Sequence, residues 1–233
     1  MSEALDKVRG VRELPVFPLP LVLFPGVPLP LHIFEERYRR MLADVRASNS
    51  LFGLSYFAPG EGSERPPLGH VGCATEVVEV QSLPDGRSNI LTLGLARYRA
   101  VEYVERGDPY LIARVEFFED EEEDAAVVAR RAEEVTEMFM RIARAMRTAN
   151  DERGALPELP QDDPERLSFL VAAVVEMDAE AKQRLLETRS TSERLRRLYT
   201  LLAQAVSAYE SRARTHELAR GNGHAGKKID FEE

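Results

Sequence analysis

The stretch that decides the fold is Leu14–Phe34, which reads LPVFPLPLVLFPGVPLPLHIF. It contains no Asp, Glu, Lys or Arg, and prolines interrupt it at positions 15, 18, 20, 25, 28 and 30. Its length and apolar character would suit a membrane span, but each interior proline destabilises a helix by about 3 kcal/mol. Proline is tolerated in edge strands and turns. The stretch therefore predicts strands joined by a turn and argues against a spanning helix.

The proline spacing predicts how these strands are placed. Residues two apart on a strand point their N–H groups to the same side, so Pro18 with Pro20, and Pro28 with Pro30, each leave one strand edge without donors. Residues 24–26 (Phe-Pro-Gly) supply a turn. We expect a core hairpin at the margin of a sheet or barrel. One face of its second strand is made by alternate apolar residues, which are Val27, Leu29, Leu31 and Ile33.

Composition restricts the class of protein. The 233 residues are 44% hydrophobic and 30% charged, as in a soluble globular protein. The net charge of −9 argues against non-specific nucleic-acid binding, which needs a cationic surface. The single cysteine, Cys73, excludes an internal disulfide. The first residues have no signal-peptide apolar region, so we expect a cytoplasmic protein without a membrane segment.

The first half of the chain reads as strands with one early helix. Residues 35–47 show the i, i+3, i+4, i+7 apolar spacing of a helix. Apolar or alternating segments at 51–57, 71–83, 89–104 and 110–118 predict strands, and the Val77-Val78 doublet breaks the alternation as a bulge would. Residues 83–87 (Leu-Pro-Asp-Gly-Arg) predict a turn.

The second half has helical periodicity. Six acids at 119–124 are interpreted as a domain junction and helix start, with a cation or basic-partner site as the alternative. Amphipathic helices follow, capped by Asp178 and by a Ser190–Glu193 capping box. We predict a flexible N-terminus at 1–12, a strand-rich subdomain at 13–119, a helical subdomain at 120–215 and a disordered tail at 216–233.

Several motifs in this order resemble the LON domain, the amino-terminal substrate-recognition domain of Lon proteases that also occurs as a stand-alone protein. They are L-P-x-F-P-L, V-L-F-P-G and L-P-L-H-I-F-E-x-R-Y in the opening stretch, with Val71–Ala74, Gly94–Arg99 and Lys182–Leu195 later. The resemblance extends over roughly residues 12 to 210. It implies an α+β fold, a PUA-like six-stranded pseudo-β-barrel followed by a C-terminal helical bundle.

No motif for catalysis stands out. Residues 221–228 have the spacing G-x-x-x-x-G-K, but Lys228 stands where a Ser or Thr would bind Mg²⁺, and the motif follows a predicted helix. Lys182 is the sole lysine in the predicted globule, and no G-x-S-x-G elbow is present. His70 and Cys73 lack a second ligand pair for a metal, and His32 is interpreted as structural. We predict no catalytic residue, cofactor or metal.

The resemblance associates the start of the first helix with substrate contact. Glu36, Arg37 and Arg40 match the family's acidic-basic-x-x-basic pattern and share one helix face, although solvated surface charges would look the same. Phe34, Tyr56 and Phe57 are candidate apolar contacts, with core packing as the alternative. These six residues form the predicted substrate-binding site.

Three functions remain open at this stage. The first is a non-catalytic module that binds unfolded or partly folded polypeptides, and that acts as an adaptor or regulator of a Lon protease. The second is a divergent hydrolase related to a peptidase. The third is an RNA-binding protein, which rests on the PUA-like architecture alone and is opposed by the net charge of −9. We expect polypeptide partners and no nucleic-acid partner.

Overall fold

The computed structural model describes residues 3–57, 65–150 and 155–222. The chain divides into two compact units. The first contains Met1–Glu122 and Glu165–Thr191, and the second contains Glu123–Pro164 and Ser192–Glu233. The elements in chain order are α1 (Glu3–Val8), β1 (Glu13–Leu19), β2 (Pro28–Ile33), α2 (Glu36–Arg46), β3 (Leu51–Tyr56), β4 (Val71–Ser82), β5 (Ser88–Tyr103), β6 (Leu111–Phe117), α3 (Ala125–Ala149), α4 (Pro164–Val174), α5 (Ala179–Glu187) and α6 (Thr191–Asn222).

The six strands form one sheet that closes on itself. Their order is β2-β5-β4-β3-β1-β6, and an additional pairing of β5 with β6 completes a ring of five strands. The long strand β5 makes this possible, because one of its edges pairs with β4 while the other pairs first with β2 and then with β6. Among the described strands, only β1 and β3 pair in parallel. The predicted six-stranded α+β fold is confirmed.

The prediction that the two proline-rich strands pair as a hairpin is wrong. β1 lies inside the sheet, where Glu13–Val16 pairs with β6 and Val16–Leu19 pairs with β3. The predicted turn does form, with Gly26 at φ +76°. Its backbone bonds to β5, however, since Gly26 N–H donates to the Gly94 carbonyl (2.9 Å) and Gly94 N–H donates to that of Val27 (3.0 Å). The turn therefore places β2 next to β5 and not next to β1.

The placement of β2 at the margin of the sheet is confirmed. Among the described strands it neighbours β5 alone. Its residues alternate as predicted, since Leu29 and Leu31 are half-buried and Ile33 is buried, while Pro28 and Pro30 are exposed. Because β2 is an edge strand, the missing N–H groups of Pro28 and Pro30 cost it no hydrogen bonds to a second neighbouring strand.

Two parts of the predicted domain division differ from the structure. Residues 3–8, placed in a flexible N-terminus, form α1, and Val8 is buried in the same apolar cluster as Leu14 and Tyr98. Residues 165–191, placed in the helical subdomain, belong to the first unit. The Phe169 ring of α4 stacks on Phe24 at 6.0 Å, which explains why α4 groups with the sheet.

The predicted disordered tail differs in its first residues. Residues 216–222, placed in the tail, continue α6 to Asn222, and residues 223–233 lie outside the described ranges. The G-x-x-x-x-G-K segment at 221–228 therefore falls mostly outside them as well.

The second unit contains two long helices that run parallel. Ser192 N–H donates to Glu123 (3.0 Å), and farther along Arg141 donates to Glu210 (2.9 Å). Both pairs are separated by 69 residues, so the two segments advance together in the same direction. Asp124 begins α3 by accepting hydrogen bonds from the N–H groups of residues 126 and 127. The helical second half is confirmed.

Candidate functional site

The β2–α2 junction places an aromatic ring in solvent. Ile33, the last residue of β2, is buried, and Phe34 after it is 58% exposed. The helix that follows is held by its apolar side, which packs with Phe17, Phe52 and Ile90 in one core cluster through Tyr38, Met41, Leu42 and Val45. The predicted site residues Glu36, Arg37 and Arg40 therefore lie on the exposed side of α2.

The two predicted arginines are paired locally. Arg37 bonds to Glu35 (Nη2–Oε2, 2.9 Å) and its guanidinium lies 4.5 Å from the Tyr38 ring centroid. Arg40 bonds to Asp44 (Nε–Oδ2, 2.9 Å). Glu36 makes no ion pair with any residue in the described ranges. The helix thus presents one carboxylate without an ion pair, two arginines in local ion pairs, and two more exposed arginines, Arg39 and Arg46.

A tyrosine just before β6 contacts Asp44, the partner of Arg40. The Tyr110 hydroxyl donates to Asp44 Oδ2 at 3.0 Å. Burial raises the pKa of Tyr110 to about 12, and the hydrogen bond to Asp44 acts in the same direction. Tyr110 therefore stays protonated at neutral pH and remains a donor. The arrangement supplies hydrogen bonds and charge, and it contains no activated nucleophile.

The exposed Phe34 ring has an aromatic neighbour on β2. It stacks on His32, with ring centroids 6.0 Å apart and planes inclined by 23°. His32 Nδ1 contacts Asn89 Oδ1 at 2.7 Å, and Asn89 Nδ2 donates to Gln81 Oε1 at 3.1 Å. These three polar side chains form a ladder across β2, β5 and β4. The histidine interpreted as structural is thus hydrogen-bonded but exposed.

Tyr56 and Phe57 lie at the end of β3, and both are half-buried. Tyr56 is opposite Leu19 of β1, and Phe57 N–H donates to the Leu19 carbonyl at 2.9 Å. Among the described residues, no ring contact joins Phe34 to either of them. The six predicted residues therefore occupy two places, the β2–α2 junction and the end of β3.

Sequence reasoning did not single out a half-buried apolar strip between these places. Its members pack on the small core cluster of Leu23, Leu54 and Cys73 while keeping part of their surface in solvent. We define this apolar strip as Leu19, Leu21, Val27 and Leu29. Leu19 also packs on the cluster beneath α2, so the strip is continuous with the base of that helix. The alternation of apolar residues at 27, 29, 31 and 33 could have identified two members of the strip, Val27 and Leu29.

Two further candidates for chemistry, Cys73 and Lys182, are unreactive or already hydrogen-bonded. Burial raises the pKa of the Cys73 thiol to about 12, so a thiolate does not form at neutral pH. Lys182 donates to the Ala173 carbonyl at 2.7 Å, at the end of α4. Within the described ranges, no cluster of three or more His, Cys, Asp and Glu residues could hold a metal ion. In the same ranges no helix is long and apolar enough to cross a bilayer.

Comparison with known proteins gives a consistent result. The ATP-dependent protease La (LON) substrate-binding domain matches residues 13–204. Lon protease 2 of Herpetosiphon aurantiacus is 29% identical over 89% of this chain and 26% of its own length, and Lon protease of Dictyoglomus thermophilum is 24% identical over 88% and 26%. The chain thus spans about a quarter of the length of these relatives.

Solved structures share the fold. The Lon N-terminal domain protein from Xanthomonas campestris has a TM-score of 0.60 and 21% identity, and it covers 82% of this chain and 98% of that one. The N-terminal domain of Mycobacterium avium complex Lon protease has a TM-score of 0.63 and 18% identity, with the same coverage. Because the domain match extends from β1 into α6 and covers most of the chain, the chain belongs to the LON substrate-binding domain family.

Proposed function

We propose that this protein is a non-catalytic recognition module that binds unfolded polypeptides or exposed apolar segments of partly folded ones. The observation that carries the proposal is the match of residues 13–204 to the substrate-binding domain of Lon. Its relatives are named Lon proteases, in which such a domain would present clients to the protease. The matched region is described as a substrate-binding domain, which supports a recognition role.

The proposed binding surface has two parts. The first is the β2–α2 junction, where Phe34 supplies an exposed ring and Glu36, Arg37 and Arg40 supply charge. The second is the apolar strip, bordered by Tyr56 and Phe57. An apolar surface with a charged rim suits segments that expose apolar side chains when they unfold. Because the strip is small and only half-buried, it favours short extended segments of varied sequence over one folded partner.

The same surface gives a direct test. A permanently unfolded probe, reduced and carboxymethylated α-lactalbumin, should be retained by the purified protein while native α-lactalbumin is not. Arg37→Glu with Arg40→Glu should weaken the affinity for the unfolded probe by about threefold or more, because rim charges orient an approaching chain. The melting temperature should change little, since both arginines are largely exposed.

A matched control is available on α6. Arg212 and Arg214 are also exposed, and replacing both with Glu changes the net charge by the same amount. This control should leave affinity for the unfolded probe unchanged. Equal weakening by the two double variants would reduce the effect to overall charge and remove the site assignment. Hydrolysis of ATP or cleavage of the probe by the purified chain would contradict a non-catalytic module.

We further propose that the protein acts as an adaptor or regulator of a Lon-type protease. Its similarity to about a quarter of such proteases supports this role, since a shared recognition domain can present or withhold the same clients. Crosslinking and affinity capture from the native cell would test it. Recovery of a resident Lon protease is the expected result, and recovery of unfolded clients without the protease would instead indicate an independent module.

A further inference from the structure

The free edge of β2 has an unusual set of hydrogen-bonding groups. Gly94 N–H donates to the Val27 carbonyl at 3.0 Å, which sets the phase of the antiparallel ladder. Successive residues alternate in direction, so Val27 and the odd-numbered residues after it point their backbone groups toward β5. Pro28, Pro30 and His32 point theirs away from it. No described strand lies along that side.

Prolines make this edge rich in acceptors. Pro28 and Pro30 have no N–H group, so the edge presents three carbonyls and a single backbone donor, that of His32. A polypeptide that paired here as an added strand would leave its own carbonyls without donors at two successive positions. Such unsatisfied groups cost more than the remaining bonds return. The edge therefore disfavours strand addition and favours partners that only donate.

The His32 ring adds a further acceptor on the adjoining face. Asn89 uses its amide nitrogen to donate to Gln81, so the oxygen of Asn89 faces His32 Nδ1 at 2.7 Å. An amide oxygen only accepts, which places the proton of the neutral imidazole on Nδ1. Nε2 is then left as an acceptor. Phe34, stacked on this ring and 58% exposed, offers an aromatic face next to it.

Arginine is the side chain that matches these groups. Arg and Lys carry donors and no acceptor, whereas Asn, Gln and the backbone bring acceptors that would stay unpaired here. The planar guanidinium can also stack on an aromatic face while it donates to carbonyls. Glu36, without an ion pair in the described ranges, follows two residues after Phe34 and offers one carboxylate, but the exposed Arg37, Arg39 and Arg40 lie on the same helix. The preference for arginine therefore depends on the carbonyls, the imidazole and the aromatic ring, and not on net charge.

We propose that the free edge of β2 at Pro28, Pro30 and His32, together with the ring of Phe34, binds an arginine side chain within an apolar polypeptide segment. The inference rests on the proposed function and specifies which segments are preferred. Arginine anchors the segment at this edge, and neighbouring apolar residues occupy the apolar strip. Segments with the same apolar content and no arginine bind more weakly.

Three synthetic peptides of identical apolar sequence test this preference, with one central position occupied by arginine, lysine or citrulline. Citrulline has nearly the shape of arginine but is uncharged and carries an acceptor oxygen. Fluorescence anisotropy with the full chain should give about tenfold tighter binding of the arginine peptide than of the citrulline peptide, as expected for hydrogen bonds from a charged donor. The lysine peptide should bind with intermediate affinity, because it donates but does not stack.

Two variants separate this geometry from general attraction to an acidic protein. Pro28→Thr with Pro30→Val restores two N–H groups to the edge and should reduce the arginine preference to less than about twofold. Phe34→Ala should remove the difference between arginine and lysine, and it alters only an exposed ring, so it serves even where the proline variant does not fold. The assignment to this edge would be overturned if the arginine peptide still binds much more tightly than the citrulline peptide in the proline variant and still more tightly than the lysine peptide in Phe34→Ala.

The wild-type result separates the two proposals. Equal binding of the arginine and citrulline peptides would overturn this inference while leaving the recognition module intact. If none of the three peptides binds and the unfolded α-lactalbumin probe is not retained, the proposed function fails and the inference fails with it.

Discussion

Replacing Arg97 with methionine would test what holds α5 against the sheet. Arg97 lies on β5 with 2% of its side chain exposed, and its ion-pair partner Asp120 is 8% exposed. Its Nη1 donates to the carbonyls of Leu186 (3.1 Å) and Thr188 (2.8 Å) at the end of α5. Its guanidinium also lies 4.7 Å from the Phe118 ring centroid. One side chain therefore joins the sheet, α5 and the segment after β6.

The magnitude follows from this burial. Removing one partner of a buried ion pair costs about 3–5 kcal/mol, and Asp120 would keep the hydrogen bond from the Thr191 hydroxyl. The carbonyls of Leu186 and Thr188 also lose their donor, and this loss overlaps with the first. Methionine replaces the arginine with an unbranched apolar side chain, so it removes the charge and the donors without leaving the site empty. We therefore expect Arg97→Met to lower the free energy of unfolding by about 4 kcal/mol, measured by urea titration followed by circular dichroism.

An exposed ion pair in the same sheet supplies the control. Arg114 of β6 pairs with Glu102 of β5, and their side chains are 52% and 55% exposed. Arg114→Met should cost less than about 1 kcal/mol, because solvent screens such a pair. Asp120→Asn, made in the wild type and in Arg97→Met, completes a double-mutant cycle. The effects of the two substitutions on the free energy of unfolding should not add, because the two side chains interact. If Arg97→Met costs no more than Arg114→Met, the buried network does not hold α5 in place.

Three further predictions concern the core and the helices. Gly72→Ala should lower the unfolding free energy by about 1–3 kcal/mol, because its Cβ would lie 2.5 Å from Cζ of the buried Tyr98; unchanged urea stability would contradict this close packing. Hydrogen bonds from two arginines lower the pKa of Glu193 to about 2, so its contribution to stability is present above pH 4.5 and is lost as the pH falls toward 2. The melting temperatures of wild type and Glu193→Gln should therefore converge at pH 2, and a constant difference across this range would refute the assignment. Cys73 should react with iodoacetamide at the rate of global unfolding, since it is buried with a pKa raised to about 12; rapid labelling of the native protein would show that it is accessible.

Local patterns predicted most of the elements. The helix predicted at 35–47 is α2, Glu36–Arg46, because all four residues of its apolar spacing find a core to pack on. The bulge predicted at Val77-Val78 appears as a register shift between Val77 and Glu79. Asp178 begins α5 by accepting from the Ala181 N–H. Each of these features depends on residues within a few positions of one another, and for that reason sequence spacing is enough to predict it.

The candidate site was predictable in part. The exposure of Phe34, Glu36, Arg37 and Arg40 follows from the helical period, since the opposite side of α2 carries the apolar residues. Their role in binding stays a prediction. The apolar strip was not foreseen as a unit, because Leu19 and Leu21 lie at and just after the end of β1 while Val27 and Leu29 lie just before and within the start of β2. Only the folded sheet brings these segments onto one core cluster.

The sequence by itself determined where the opening stretch can make strands and where it cannot donate hydrogen bonds, since proline lacks an N–H in any fold. Its motifs also indicated the LON family. Tertiary structure decided that β1 lies between β3 and β6 while β2 pairs with β5, and that Arg97 is buried against Asp120. Strand pairing and charge burial depend on partners far away in the chain, whose approach is set by packing of the whole sheet.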